Sequence, residues 1–203
     1  MTRNVSLTRK GRTLFGLLSG AVRDLDRAQG PLPRRGRKRA TFVENELRAH
    51  IVRTGLPPAF RYEFPVKDDV TLGRRSIDYV LIDPTNSVRR LPVGVIEATC
   101  ELKGPARPTV WKPGTKNYYD QIKNGKRTGI KPDVSKQHQL YKQNKRAEHY
   151  VFWVIESPDH SEHIDVALPR LLARLRSDLP SVRLAECARA EIAGLWMFLF
   201  RVS

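Results

Sequence analysis

Two apolar runs separated by a turn constrain this chain more than any other feature. Ser76-Ile77-Asp78-Tyr79-Val80-Leu81-Ile82 comes first. Asp83-Pro84-Thr85-Asn86 and irregular sequence to Pro92 follow, and then Val95-Ile96-Glu97-Ala98-Thr99-Cys100-Glu101-Leu102-Lys103-Gly104. Apolar runs bounded by such turn residues predict strands. Side chains alternate along a strand, so Glu97, Thr99, Glu101 and Lys103 share one face. Ile96, Ala98, Cys100 and Leu102 share the other, which reads as a core face. Charges are depleted in strands and costly to bury without a partner. Two carboxylates and an ammonium on one face, with a further carboxylate on the preceding strand, would repel or desolvate one another; a bound divalent cation would offset that cost. If the strands pair antiparallel, Asp78 falls near Glu97 or Glu101, depending on where the turn is centred.

At these residues the chain resembles the PD-(D/E)xK, or restriction-endonuclease-like, nucleases. The resemblance rests on Asp78, then Glu101-Leu102-Lys103 after a strand and turn. The residue before Asp78 is Ile77 instead of proline, and Glu97 is followed two positions later by Thr99, which favours Glu101 with Lys103. The resemblance implies that Asp78 and Glu101 hold Mg²⁺, with Mn²⁺ as a substitute and Glu97 as an additional ligand. It implies that Lys103 serves the water or the scissile phosphate. It also implies a helix bearing a glutamate ahead of the hairpin, and a helix and strand after it. Thr41 to Arg53 reads as that first helix, with Thr41 as N-cap and Glu44 and Glu46 as candidate glutamates. Glu44 also has a plain explanation in the helix dipole. Val134 to Ala147 reads as a polar helix, and Tyr150 to Ile155 as a buried strand. Gln137 on that helix is a candidate for orienting a phosphate or water, set against a solvated face shared with Lys136 and Lys142. The resemblance spans roughly residues 41 to 157.

The formal net charge of +16 on 203 residues points to an anionic partner, nucleic acid before an anionic membrane surface. No apolar run is long enough to cross a bilayer, and the first residues lack the apolar core of a secretory signal. Cys100 and Cys187 lie in apolar context, so the expectation is two buried thiols in a reducing cytoplasm. Residues 8 to 28 show helical periodicity, with Leu14, Leu17, Leu18, Val22 and Leu25 on one face. Arg34, Arg35, Arg37, Lys38 and Arg39 then form a basic run suited to following a DNA backbone or to connecting two units. The expected organisation is a basic helical extension and linker over 1–40 and a nuclease domain over 41–203.

Residues 104 to 132 are rich in Gly, Pro and Lys, with few aliphatic positions. Trp111, Tyr118 and Tyr119 stand among Lys112, Lys116, Asn117, Lys123, Lys126 and Arg127. Basic groups neutralise phosphates and rings stack on bases, so this segment is the candidate nucleic-acid contact; the plainer reading makes its aromatics anchors of a small core. His160-Ser161-Glu162-His163 reads as a loop, a weak zinc signal. Ile164 to Arg176 reads as an amphipathic helix, with closing strands over Val182–Cys187 and Leu195–Val202. No phosphate-binding loop or dinucleotide fingerprint is present.

The expected fold is α/β, a mixed central sheet flanked by helices with an N-terminal helical extension. The expected function is Mg²⁺-dependent hydrolysis of DNA phosphodiesters by Asp78, Glu101 and Lys103. The resemblance is greatest to type II restriction endonucleases, which implies a homodimer. The alternatives are a structure-specific junction or repair nuclease, and a non-catalytic DNA-binding protein that keeps the fold. The site is expected to be solvent-filled, so its residues should be removable without harm to the fold.

Overall fold

The computed structural model describes residues 7–28, 44–54, 60–67, 76–82, 91–92, 96–114, 118–123, 126–158, 163–192 and 194–203. Its elements run α1 (Arg9–Ala28), α2 (Glu44–Thr54), β1 (Phe60–Lys67), β2 (Ser76–Ile82), β3 (Leu91–Pro92) and β4 (Ile96–Ala106). After a 3₁₀ turn at Pro108–Trp111 come β5 (Gln121–Lys123), β6 (Lys126–Thr128), α3 (Ile130–Gln143) and β7 (Glu148–Glu156). The chain closes with α4 (Ile164–Asp178), β8 (Leu184–Ile192) and β9 (Leu195–Val202). The seven-stranded sheet has the order β3-β1-β2-β4-β7-β9-β8, and β5 and β6 form a separate two-stranded ribbon. β4 runs parallel to β7 and antiparallel to β2. The mixed sheet expected from sequence is present.

The strand alternation decides which layer each helix joins. On β4, Ala98, Cys100 and Leu102 enter one core; on β7, Tyr150, Phe152 and Val154; on β9, Leu195, Met197 and Leu199. That core also takes Leu14, Leu18, Val22 and Leu25 of α1 and Leu47 and Ile51 of α2. The intervening residues Val151, Trp153 and Ile155, with Phe198 and Phe200, enter a second core with Ile130 and Val134 of α3 and Leu168, Leu171 and Leu172 of α4. The sheet thus lies between two helical layers. Fully burying each large side chain contributes about 1.5–3 kcal/mol, so the doubly apolar β7 and β9 anchor the fold. α1 belongs to the same core as β4, β7 and β9, so it is built into the layered unit and is not an appendage to it.

Two elements begin away from their expected positions. α3 starts at Ile130, four residues before the expected Val134, because Pro132 sits in the first turn, where its missing N–H has no helical partner to lose. The segment before it is also more ordered than its composition suggests. Trp111 is buried, donates from Nε1 to the Glu156 carbonyl at 2.9 Å and packs edge-on to Phe198. Tyr119 is buried, donates to Asp178 at 2.9 Å and lies 3.5 Å beneath the Arg174 guanidinium carbon. Among the described residues no helix is long and apolar enough to cross a membrane.

Candidate active site

β4 brings the site together because it is central and because its ladder with β2 ends where the charged residues begin. The pairing runs as far as Tyr79 opposite Cys100. One further step would set Asp78 opposite Glu101. There the Asp78 carboxylate takes over from the ladder: its Oδ2 accepts the Leu102 N–H at 2.9 Å. Asp78 is 8% and Glu101 4% exposed, so both acids are buried. Like charges directly across a pair of strands destabilise it, and counter-charges arrive from both helical layers.

From α2, Arg48 forks onto Asp78, Nη1 to Oδ1 at 2.5 Å and Nη2 to Oδ2 at 2.7 Å. Nη2 also donates to Glu44 Oε1 at 2.9 Å and to the Leu102 carbonyl at 3.2 Å. Glu44 and Arg48 meet because four helical residues separate them. The other Glu44 oxygen accepts the Gly104 N–H at 3.2 Å and lies 3.4 Å from Lys103 Nζ. From α3, Asp133 Oδ2 stands 3.6 Å from Lys103 Nζ, and Lys136 Nζ stands 2.6 Å from Glu101 Oε1. Glycine at 104 is demanded by space and conformation: φ is +119°, and a Cβ there would lie 2.0 Å from the Val154 carbonyl oxygen. The chain can therefore turn tightly against β7 just after Lys103.

This density of charge moves the ionisations. Burial and then the charge of Asp78 push Glu101 well above the ordinary carboxylate range, against the pull of Lys136. Burial pushes Asp133 up to about 7; Lys103 opposes the rise, while Asp78 and Glu44 add to it. Burial alone would lower Lys103, but Asp133, Glu44 and Asp78 outweigh it and raise it, so the side chain stays an ammonium. Burial likewise opposes the charge on Arg48, and its bonds and attraction to Asp78 and Glu44 win. Burial first, then the nearby Glu101 and Asp78 charges, hold the Cys100 thiol neutral, which rules it out as a thiolate nucleophile near neutral pH.

The donor chemistry fits a hard divalent cation. Magnesium takes oxygen ligands, commonly one or two carboxylates with waters retained. Asp78, Glu101 and the Leu102 carbonyl supply such oxygens at the end of the ladder, and the Asp78 carboxylate and Leu102 carbonyl already hold one cation, the guanidinium of Arg48. Among the described residues no three His, Cys, Asp or Glu side chains gather into a ready-made metal cage.

Asp78, Glu101, Lys103 and Glu44 are thus brought together. Glu97 is not among them: it pairs with Lys10 of α1 at 3.3 Å. It stands four residues from Glu101, about 13 Å along a strand. This register leaves Glu97 apart from the Asp78–Glu101 cluster. Gln137 is buried against Thr99, whose hydroxyl lies 2.5 Å from its Oε1, so it braces α3 on β4 one turn beyond Asp133. Glu46, two residues further along α2, is exposed and does not share the helix face of Glu44.

Several nucleic-acid contacts expected from sequence change character. Trp111 and Tyr119 are core anchors whose rings are not free to stack on bases. Tyr118 is half-buried with φ of +60°, and its carbonyl accepts the first N–H of α3. Lys112 is exposed, and Arg127 is exposed beside Asp120 at 3.6 Å. Lys123 and Lys126 lie on the β5–β6 ribbon. Arg34, Arg35, Arg37, Lys38, Arg39, Lys116 and Asn117 lie outside the described residues, as do Thr41, His160, Ser161 and Glu162. Described His163 caps α4, accepting the Asp165 N–H at 3.3 Å.

Compared with known protein families, with characterised proteins and with solved structures, the chain matches none. Arg48, Asp133, Lys136 and Gly104 are the site residues that sequence reasoning did not single out. Signals existed for three of them: Arg48 follows Glu44 by four positions, and Asp133 precedes Lys136 by three, both spacings that share a helix face.

Proposed function

We propose that the chain is a metal-dependent endodeoxyribonuclease of the PD-(D/E)xK kind, most like a type II restriction endonuclease acting as a homodimer. One observation carries this reading: the end of the β2–β4 ladder sets Asp78 beside Glu101, with Lys103 two residues further on. Asp78 and Glu101 would hold Mg²⁺, or Mn²⁺ in its place. When bound, the metal supplies Lewis-acid polarisation of a phosphate oxygen and a more acidic water. Lys103, kept charged by Glu44 and Asp133, contributes a fixed cation for the negative charge that grows on the phosphorane oxygens. An ammonium held so firmly is an electrostatic stabiliser, not a proton acceptor. Glu44 positions Lys103 and, through the Gly104 N–H, the backbone that carries it.

DNA as substrate is supported by the net charge and by the β5–β6 ribbon, which exposes Ile122 and Arg127. A two-stranded ribbon is of a size to enter a DNA groove. A second reading, a DNA-binding protein that keeps the fold without the chemistry, is favoured by a different observation: chain cations already accompany Asp78, Glu101, Glu44 and Asp133.

The deciding experiment incubates the protein with plasmid, linear duplex and branched DNA, with and without Mg²⁺, beside Lys103→Met. The proposal expects Mg²⁺-dependent cuts that the variant loses by at least a hundredfold. Discrete fragments support a restriction enzyme, and cuts confined to branched DNA a junction nuclease. Salt-sensitive binding with no cleavage would overturn the enzymatic reading in favour of the binding protein.

A further inference from the structure

The guanidinium of Arg48 occupies an unusual position. It is held at once by both oxygens of Asp78, by Glu44 Oε1 and by the carbonyl of Leu102. These are hard oxygens, and two of the three groups are ones that the nuclease reading assigns to a metal or places beside it. The side chain is 14% exposed, so the contact is not an incidental surface pair. A fork–fork pair of this geometry holds a carboxylate in one orientation with both of its oxygens engaged.

We infer that Arg48 is a built-in competitor for the metal, holding the Asp78 carboxylate until a divalent cation displaces its guanidinium. The inference rests on the nuclease reading and concerns the regulation of that same site. Its physical basis is that one carboxylate cannot turn the same lone pairs toward a bidentate guanidinium and a bound ion, so each cation binds at the other's expense. Neither Asp78 oxygen is free of Arg48: Oδ1 accepts from Nη1, and Oδ2 accepts from Nη2 and from the Leu102 N–H. Arg48 also has somewhere to remain when it leaves. Glu44, on its own helix one turn away, keeps one end of the guanidinium and needs no backbone movement to do so. The expected consequence is a metal site that is weak by itself. It would tighten when something else draws Arg48 away, and a phosphate group is the chemistry that a freed guanidinium binds best. Linkage then requires that metal and phosphate each strengthen the binding of the other.

Mn²⁺ binding to the full-length protein, followed by electron paramagnetic resonance of the free ion, tests this without recourse to activity. Wild type, Arg48→Met, Arg48→Lys and Asp78→Asn are compared, each first checked for folding by circular dichroism. Arg48→Met keeps the apolar stem and removes the competitor, so it should bind Mn²⁺ at least tenfold more tightly than wild type. Arg48→Lys, with charge but no fork, should fall between them and serves as the test if the methionine variant does not fold. Asp78→Asn should bind worst. Equal or weaker binding by both Arg48 variants, with Asp78→Asn still impaired, would overturn the competition and leave the nuclease site standing; Arg48 would then order the site. No Mn²⁺ binding by any folded form would overturn the metal reading and the competition together.

Discussion

Asp78→Ala should cost the protein about 3 kcal/mol of stability, a value that follows from what the carboxylate holds. It accepts two charge-assisted bonds from Arg48 and one from the Leu102 N–H. Breaking a buried ion pair by removing one partner costs about 3–5 kcal/mol, because the other charge is left behind. Arg48 keeps Glu44 and the Leu102 carbonyl, which argues for the lower end. An orphaned buried N–H adds about 1–3 kcal/mol. Against these, removing Asp78 relieves Glu101, whose carboxyl its charge helps push upward. The terms leave about 3 kcal/mol for alanine and about 1–2 kcal/mol for Asp78→Asn, which still offers an oxygen to Leu102. A domain has only about 5–15 kcal/mol in all, so the alanine variant should unfold at clearly lower urea. Urea titration near neutral pH, followed by tryptophan fluorescence, measures the difference; Trp153 is fully buried. Adding Arg48→Met to Asp78→Ala should cost much less than the sum of the two single changes, since each removes the other's stranded charge. A loss below about 0.5 kcal/mol for Asp78→Ala, the scale of an ordinary surface change, would refute the buried network. The sequence-based expectation that these residues can be deleted harmlessly from a solvent-filled site is corrected by their burial. Loss of cleavage in an alanine variant would therefore mean little unless its folded fraction were measured.

Two other predictions follow from separate parts of the molecule. The folded pKa of Asp133, about 7, lies above the ordinary 3.8, so the native state keeps a proton that the unfolded chain releases. Asp133 thus penalises stability progressively as pH rises through that window, and Asp133→Asn should gain on wild type from about pH 4 to 7 in paired unfolding curves; a gap that is constant, or that closes in the other direction, would show that Asp133 ionises normally. Replacing Arg34, Arg35, Arg37, Lys38 and Arg39 with glutamine should flatten the salt dependence of DNA binding, by about one unit of log–log slope per lost phosphate contact, whereas an unchanged slope would make the run a connector. Deleting residues 1–39 is not an equivalent test, because it would strip Leu14, Leu18 and Val22 from the first core.

How much of this was legible in the sequence depends on the kind of geometry that each element imposes. A strand has a period of two and only two faces, so the alternation along β4 separated Ala98, Cys100 and Leu102 from Thr99 and Glu101 before any partner was known. The same rule separated Trp153 from Phe152 and Phe198 from Leu199 into opposite cores. Register is different: it depends on where the ladder stops, and only the Tyr79–Cys100 pairing chooses Glu101 over Glu97 as the neighbour of Asp78. Helices are harder still. Their apolar stripe tells which side faces the sheet but not how far along the sheet the helix sits, so Arg48 went unmarked and Lys136 read as part of a solvated face until docking set them 2.5 Å from Asp78 and 2.6 Å from Glu101. The segment before α3 misled for a compositional reason: Gly, Pro and Lys suggested an open insertion, although two aromatic residues suffice to pin it to the second core.

The two helical cations change what the motif itself means. A lone Asp and Glu-x-Lys on adjacent strands would be an uncompensated cluster, and only a metal would make it tolerable. Here Arg48 and Lys136 come from opposite helical layers and compensate the two acids without one. Burial of the acids is therefore no argument for a metal, since the chain meets the electrostatic cost itself. What does argue for one is that the compensation is incomplete. Glu101 keeps a carboxyl pushed up by burial and by Asp78 even with Lys136 in contact, and Asp133 is pushed up although Lys103 stands beside it. A site built only for stability gains more from apolar residues of similar volume than from such a network. Four carboxyl groups, those of Asp78, Glu101, Glu44 and Asp133, gather around only three cations, Arg48, Lys103 and Lys136, and the Arg48 variants ask directly which cation the acids are offered to.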